Sequence, residues 1–164
     1  MILGESNRHQ GSGIRHQAPL GTLWGLGSVV PVFTCLGVSS IMKDYKDLVS
    51  WQKSMWLAKE IYQLTRLLPN EETYGLASQI RRAAVSIPSN IAEGYGRESA
   101  LEYARFLKYA RGSLYEVETQ LRLCEMLQFL TAQNTEYAFS LCGEIVRMLN
   151  TMLRRLQGQM RDSE

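Results

Sequence analysis

The sequence predicts an all-α protein, an antiparallel up-down four-helix bundle, on three observations. Four segments repeat apolar side chains at the 3.6-residue period of an amphipathic helix. No segment alternates polar and apolar residues at period two, so no half-buried strand is expected. The connections between the four segments are short, which makes consecutive helices antiparallel neighbours.

The first helix is expected over residues 44–68. Leu48, Trp51, Met55, Ala58, Tyr62 and Thr65 step by three and four, and Ile61 and Leu64 widen the stripe. Pro69-Asn70 ends it. The second is expected over 72–93, with Leu76, Ile80, Ala83, Ile87 and Ile91 on its apolar face. Pro88 lies inside it. A mid-helix proline removes one backbone bond and pushes away the carbonyl four residues back, so a kink is predicted, with Ser86, Ser89 and Asn90 at hand for the freed groups. Gly94-Tyr95-Gly96 closes this helix.

Ser99-Ala100-Leu101-Glu102 reads as a capping box that starts the third helix. From there Tyr103, Leu107, Ala110, Leu114, Val117, Leu121 and Cys124 form a strict heptad seam. Gly112 within it lowers helix propensity by about 1 kcal/mol against alanine, which predicts close approach of a neighbouring helix there. The fourth helix is expected over 132–157, with Ala138, Leu141, Ile145, Met148, Met152 and Leu156 inward. Arg154, Arg155 and Arg161 crowd its end, where cations suit the helix dipole.

Composition divides the chain at Met42. Residues 1–41 carry only Glu5, Arg8 and Arg15 as charged side chains, yet hold seven of the 13 glycines and two of the four prolines. Three readings of this leader compete. A secretory signal would use the apolar run Leu20 to Val38, but Gly21, Gly25, Gly27 and Pro31 break it and no clean small-x-small site follows. A transmembrane helix needs about 20 mostly apolar residues without such breakers. The third reading fits best: 1–41 stands outside the working domain, as a disordered or mis-started leader, and 42–164 is the bundle. A cytoplasmic location and no membrane partner follow from it. The three cysteines, Cys35, Cys124 and Cys142, form no C-x-x-C and suit a reducing compartment.

Residues Tyr74-Gly75-Leu76, the run Gln79 to Gly94 containing Ser86-Ile87-Pro88-Ser89-Asn90-Ile91-Ala92-Glu93-Gly94, then Phe106-Leu107, Gly112-Ser113-Leu114 and Glu116 to Leu121 form a specific pattern. Leu48 to Ser54 fits its first helix. The pattern, over about residues 43–157, resembles the bacterial four-helix bundle protein family, also named 23S rRNA intervening-sequence proteins. The resemblance implies a cylindrical homopentamer. It also implies kinship with Avd, the accessory protein of diversity-generating retroelements, which binds nucleic acid and a reverse transcriptase. It implies no enzyme activity. Residues 1–41 have no counterpart in the family pattern.

The residues themselves point away from catalysis. Both histidines, His9 and His16, precede the bundle. This leaves no Glu-x-x-His pair for a di-metal site and no histidine for a nucleophilic triad. No glycine-rich phosphate loop follows a strand. No catalytic residue, metal ligand or cofactor is therefore expected. Arg82, Ser86, Asn90, Glu93 and Arg97 step along one helical face. Glu93 is its one acid–base candidate, and a lone carboxylate favours a structural polar stripe that repairs the Pro88 kink. Arg81, Arg82, Arg97, Arg105, Lys108 and Arg111 concentrate positive charge, and arginine forks match phosphate oxygens. These six are the candidate contacts to RNA or DNA. The alternative is a solvated helix surface with complementary charge at a subunit seam, in a structural or protein-interaction module whose partner, a reverse transcriptase or another protein, binds without nucleic acid. Trp56, Leu67, Phe106, Leu123, Leu127, Phe129 and Phe139 fall beside or outside the four apolar seams. Exposed together they exceed what a soluble monomer usually shows, which predicts self-association.

Overall fold

The structure is a computed structural model and describes residues 44–97 and 99–161. Four helices follow in order: α1 Val49–Leu64, α2 Leu76–Tyr95, α3 Ala100–Met126 and α4 Ala132–Arg161. Short 3-10 turns at Tyr45–Asp47 and Asn70–Thr73 precede α1 and α2. Among the described residues there is no strand. The leader assignment for 1–41 lies outside the described residues.

Side-chain pairs fix the topology. Ser50 and Lys53 of α1 meet Met152 and Glu144 of α4. Thr65, just past α1, meets Arg81 of α2, while Tyr45, ahead of α1, meets Tyr95 at the end of α2. Ser86 of α2 meets Ser113 of α3, and Arg111 of α3 meets Asn150 of α4. Gly94 of α2 also meets Phe106 of α3, and Arg122 of α3 meets Phe139 of α4. In each pair of helices the numbers run in opposite directions, so every neighbour is antiparallel. Each helix packs on its sequence neighbours, and α4 closes the ring of contacts on α1. The α2–α3 interface is the most extensive. The fold is the expected up-down four-helix bundle.

The ends are capped by local chemistry. Glu72 Oε2 accepts the Leu76 N–H at 2.9 Å and so caps α2. Ser99 Oγ accepts from Glu102 N at 3.5 Å, but the Glu102 carboxylate turns to Arg105 at 3.7 Å. Only one arm of the predicted capping box is made. Ahead of α4, Thr131 and Asn134 exchange bonds: Thr131 N donates to Asn134 Oδ1 at 3.0 Å and Asn134 N to Thr131 Oγ1 at 3.3 Å. The α3–α4 turn passes through Gln128 at φ 60°, which lets Phe129 N reach Cys124 O at 2.9 Å.

The core corrects the first helix. Its buried side chains include Ser50, Ser54, Leu57, Ala58, Ile61 and Leu64, whereas Met55 and Tyr62 are half exposed. The inward stripe is therefore centred on Leu57-Ile61-Leu64. Trp51 sits at its margin, half-buried, with its ring edge-on to Tyr45 at 5.3 Å. Ser50 and Ser54 are buried because short side chains admit α4, where Ser50 Oγ lies 3.6 Å from Met152 Sδ. The heptad seam of α3 is buried from Tyr103 to Cys124 as expected.

Two glycines exchange roles. A Cβ added at Gly112 meets nothing within 4 Å, so no helix approaches closely there. A Cβ added at Gly94 lies 2.7 Å from Phe106 Cβ and 2.9 Å from Tyr103 Cδ2. The close approach is thus at Gly94, inside α2, which runs on to Tyr95 and ends at Gly96.

Candidate nucleic-acid interface

The polar stripe on α2 comes first, because it faces α3. α2 continues through Pro88 as one helix. Ser89 Oγ donates to Val85 O at 2.9 Å, and Asn90 Nδ2 to Ser86 O at 2.8 Å. Both bonds go to carbonyls one and two residues after Ala84, whose carbonyl is the one that loses its N–H partner to Pro88, so the predicted repair by these side chains is not made at that group. The Ser86 hydroxyl is engaged elsewhere. Its Oγ accepts from Asn90 Nδ2 at 2.9 Å and shares a bond with Ser113 Oγ at 2.9 Å, tying α2 to α3. Glu93 pairs with Arg97 at 2.6 Å one turn on. The stripe is a chain of hydrogen bonds whose members are already engaged with one another.

The six candidate cations do not form one cluster. Arg81 is turned to α1: its Nε donates to Thr65 Oγ1 at 2.7 Å and its guanidinium lies 5.2 Å from the Tyr62 ring. Arg82 is exposed on α2 and makes no ion pair with a described residue. Arg97 pairs with Glu93 and lies over the Phe106 ring at 5.2 Å. Arg105, Lys108 and Arg111 lie along α3, and their surroundings differ. Arg105 Nε donates to the Tyr109 hydroxyl at 2.7 Å. That bond, with the charges of Tyr109 and Glu102, raises the guanidinium pKa further. Lys108 is exposed and makes no ion pair with a described residue. Arg111 Nη1 donates to Asn150 Oδ1 at 2.7 Å and is half-buried against α4.

The bond from Arg111 to Asn150 sets residues 103–115 of α3 beside residues 145–161 of α4. From sequence alone the arginines of α4 have no part beyond the helix dipole. Arg147, Arg154 and Arg155 are all exposed. The signal was present, since 145–161 contains no Asp or Glu.

Other titratable groups are inert or structural. Burial pushes the Cys142 thiol up to about 12 and raises Cys124 as well, so neither is a ready nucleophile. Burial also raises the Tyr103 phenol, whose hydroxyl has no hydrogen-bond partner among the described residues. The Thr135 hydroxyl and Arg122 hold the Glu125 carboxyl below its usual range and fasten the α3–α4 turn. Among the described residues no three His, Cys, Asp or Glu side chains gather as a metal site. No described helix is long and apolar enough to cross a membrane.

The sequence model of the 23S rRNA-intervening sequence protein family matches residues 46–151. The chain belongs to this family. The match covers α1, α2, α3 and most of α4. Among solved structures, the chain is similar to the crystal structure of a protein of unknown function from the S23 ribosomal protein family of Bacteroides thetaiotaomicron VPI-5482. The two are 27% identical with a TM-score of 0.60, over 64% of this chain and 98% of that one. No curated protein matches the chain.

Proposed function

We propose that this member of the 23S rRNA-intervening sequence protein family is a non-enzymatic accessory protein that binds RNA through an arginine-rich face. One observation carries the reading. From Tyr103 to Tyr115, α3 bears Arg105, Lys108 and Arg111 and no acid. The family's name, which refers to an intervening sequence of 23S rRNA, and the resemblance to Avd make RNA the first polyanion to try. The protein works in the cytoplasm on this reading, in keeping with free buried thiols at Cys124 and Cys142.

The working form is an oligomer, a homopentamer by resemblance. Trp56 is 54% exposed, Leu67 57% and Leu127 48%, and Leu123, one turn before Leu127, is exposed as well. Such side chains favour a subunit seam. Phe129 and Phe139 do not add to it, since both pack against the core. A ring would repeat each basic face around its circumference and multiply a weak contact.

A gel-shift titration of the whole protein on RNA and DNA, at low and physiological salt, tests the reading. Binding that weakens steeply with salt and shows little sequence preference is expected. The exposed apolar side chains also support a second reading, a protein-interaction module that captures a reverse transcriptase or another protein. Absence of binding to either nucleic acid at low salt would favour it.

A further inference from the structure

The charges of α3 and α4 are separated in sequence but adjacent in space. On α3, residues 103–115 carry two arginines, one lysine and no acid. On α4, residues 145–161 carry four arginines and no acid. The Arg111–Asn150 bond at 2.7 Å lays these stretches antiparallel to each other. Seven cations therefore share one end of the α3–α4 pair with no anion between them on either helix; Arg105, at the edge, has Glu102 3.7 Å away. Arg147 and Arg154 are seven residues apart, two turns, and so lie one above the other. Both are exposed, opposite the buried Ile145, Leu149 and Leu153. Neither makes an ion pair with a described residue.

We propose that the outward faces of α3 and α4 form one track for the phosphate backbone of RNA, with Arg147 and Arg154 as contacts beside Arg105, Lys108 and Arg111. This rests on the RNA reading above and places its site. Arg81, Arg82 and Arg97 stand off the track, on or just after α2. Arg81 faces Tyr62 and Thr65 at the end of α1, and Arg97 is paired with Glu93 at 2.6 Å and lies over Phe106. Six of the seven cations are arginines, whose planar forks fit phosphate oxygens bidentately. A lipid surface fits less well. It needs an apolar anchor on the charged face, and Ile145, Leu149, Leu153 and Leu156 of α4 all turn into the core.

The test uses the full chain, a short RNA hairpin and a salt series read by fluorescence anisotropy. In Arg147→Gln/Arg154→Gln the expected result is at least ~10-fold weaker binding at low salt. The log–log salt slope should flatten by about 1.8, at roughly 0.9 per lost duplex contact. Arg147→Lys/Arg154→Lys should keep most of the slope, and Arg82→Gln, exposed but off the track, should keep the affinity. If the double variant loses helix, Arg154→Gln alone should flatten the slope by about half as much. Unchanged binding in the α4 variants, with loss in Arg82→Gln, overturns the track and leaves the RNA reading intact. No binding by the wild type at low salt overturns both. Arginine-dependent binding to anionic vesicles with none to the hairpin also overturns the proposal.

Discussion

Gly94 of α2 and Phe106 of α3 are in contact through a space that no side chain can share. A Cβ at position 94 would stand 2.7 Å from the Cβ of Phe106, close to its backbone. Gly94→Ala must therefore push the two helices apart at their most extensive interface. Overpacking of this kind costs about 1–3 kcal/mol. Gly112→Ala has open space around it and should gain about 1 kcal/mol from helix propensity. Urea unfolding of the two variants should move the midpoint in opposite directions.

Gln128 holds a left-handed backbone that glycine adopts without penalty. Gln128→Gly is expected to stabilise the fold by up to about 1 kcal/mol. The measurement is the thermal midpoint against wild type. A loss of stability would mean that the Gln128 side chain makes a contribution larger than its backbone strain.

Self-association should be visible in the wild type by light scattering at micromolar concentration. Leu123 and Leu127 are exposed at the far end of α3, away from Arg105 and Lys108. Leu123→Glu/Leu127→Glu should reduce the mass without loss of helical circular dichroism, because neither side chain belongs to the core. A monomeric wild type would remove the reason for a ring.

Alkaline pH should weaken the fold through Cys142. Its thiol titrates near 9 when unfolded and at about 12 when folded, because burial disfavours the thiolate. The raised native value means the native state holds the proton longer. Stability is then complete below pH 9 and declines as pH rises toward 12, by at most about 1.4 kcal/mol per pH unit. Cys142→Ala should flatten that decline relative to wild type, in urea midpoints measured from pH 8 upward.

The helices were legible because their inward positions repeat cleanly. The α3 seam from Tyr103 to Cys124 is buried as its spacing required. α1 was misphased because it is apolar on two sides: Trp51, Met55 and Tyr62 on one flank compete with Leu57, Ile61 and Leu64 on the other. Periodicity gives the spacing of a stripe, and only packing against α2 and α4 selects which stripe turns inward. The same limit applies to charge. Arg111 and Asn150 are 39 residues apart in sequence. Until that contact is known, the cations of α3 and α4 belong to two unrelated segments, whereas Arg81 and Arg97 look like neighbours of Arg105.

The ring of contacts in which each helix meets its sequence neighbours also governs how quickly the chain finds its shape. Three of the four interfaces join consecutive helices, and only α1 with α4 requires a long loop to close. Low mean separation between partners favours folding in microseconds to milliseconds. The α2–α3 hairpin is the natural nucleus, since it is local and has the widest interface. During synthesis that hairpin can form while α4 is still within the ribosome, and α1 must wait with its Leu57-Ile61-Leu64 stripe only partly covered. Docking of α4 then covers that stripe and, in the same step, sets Asn150 against Arg111.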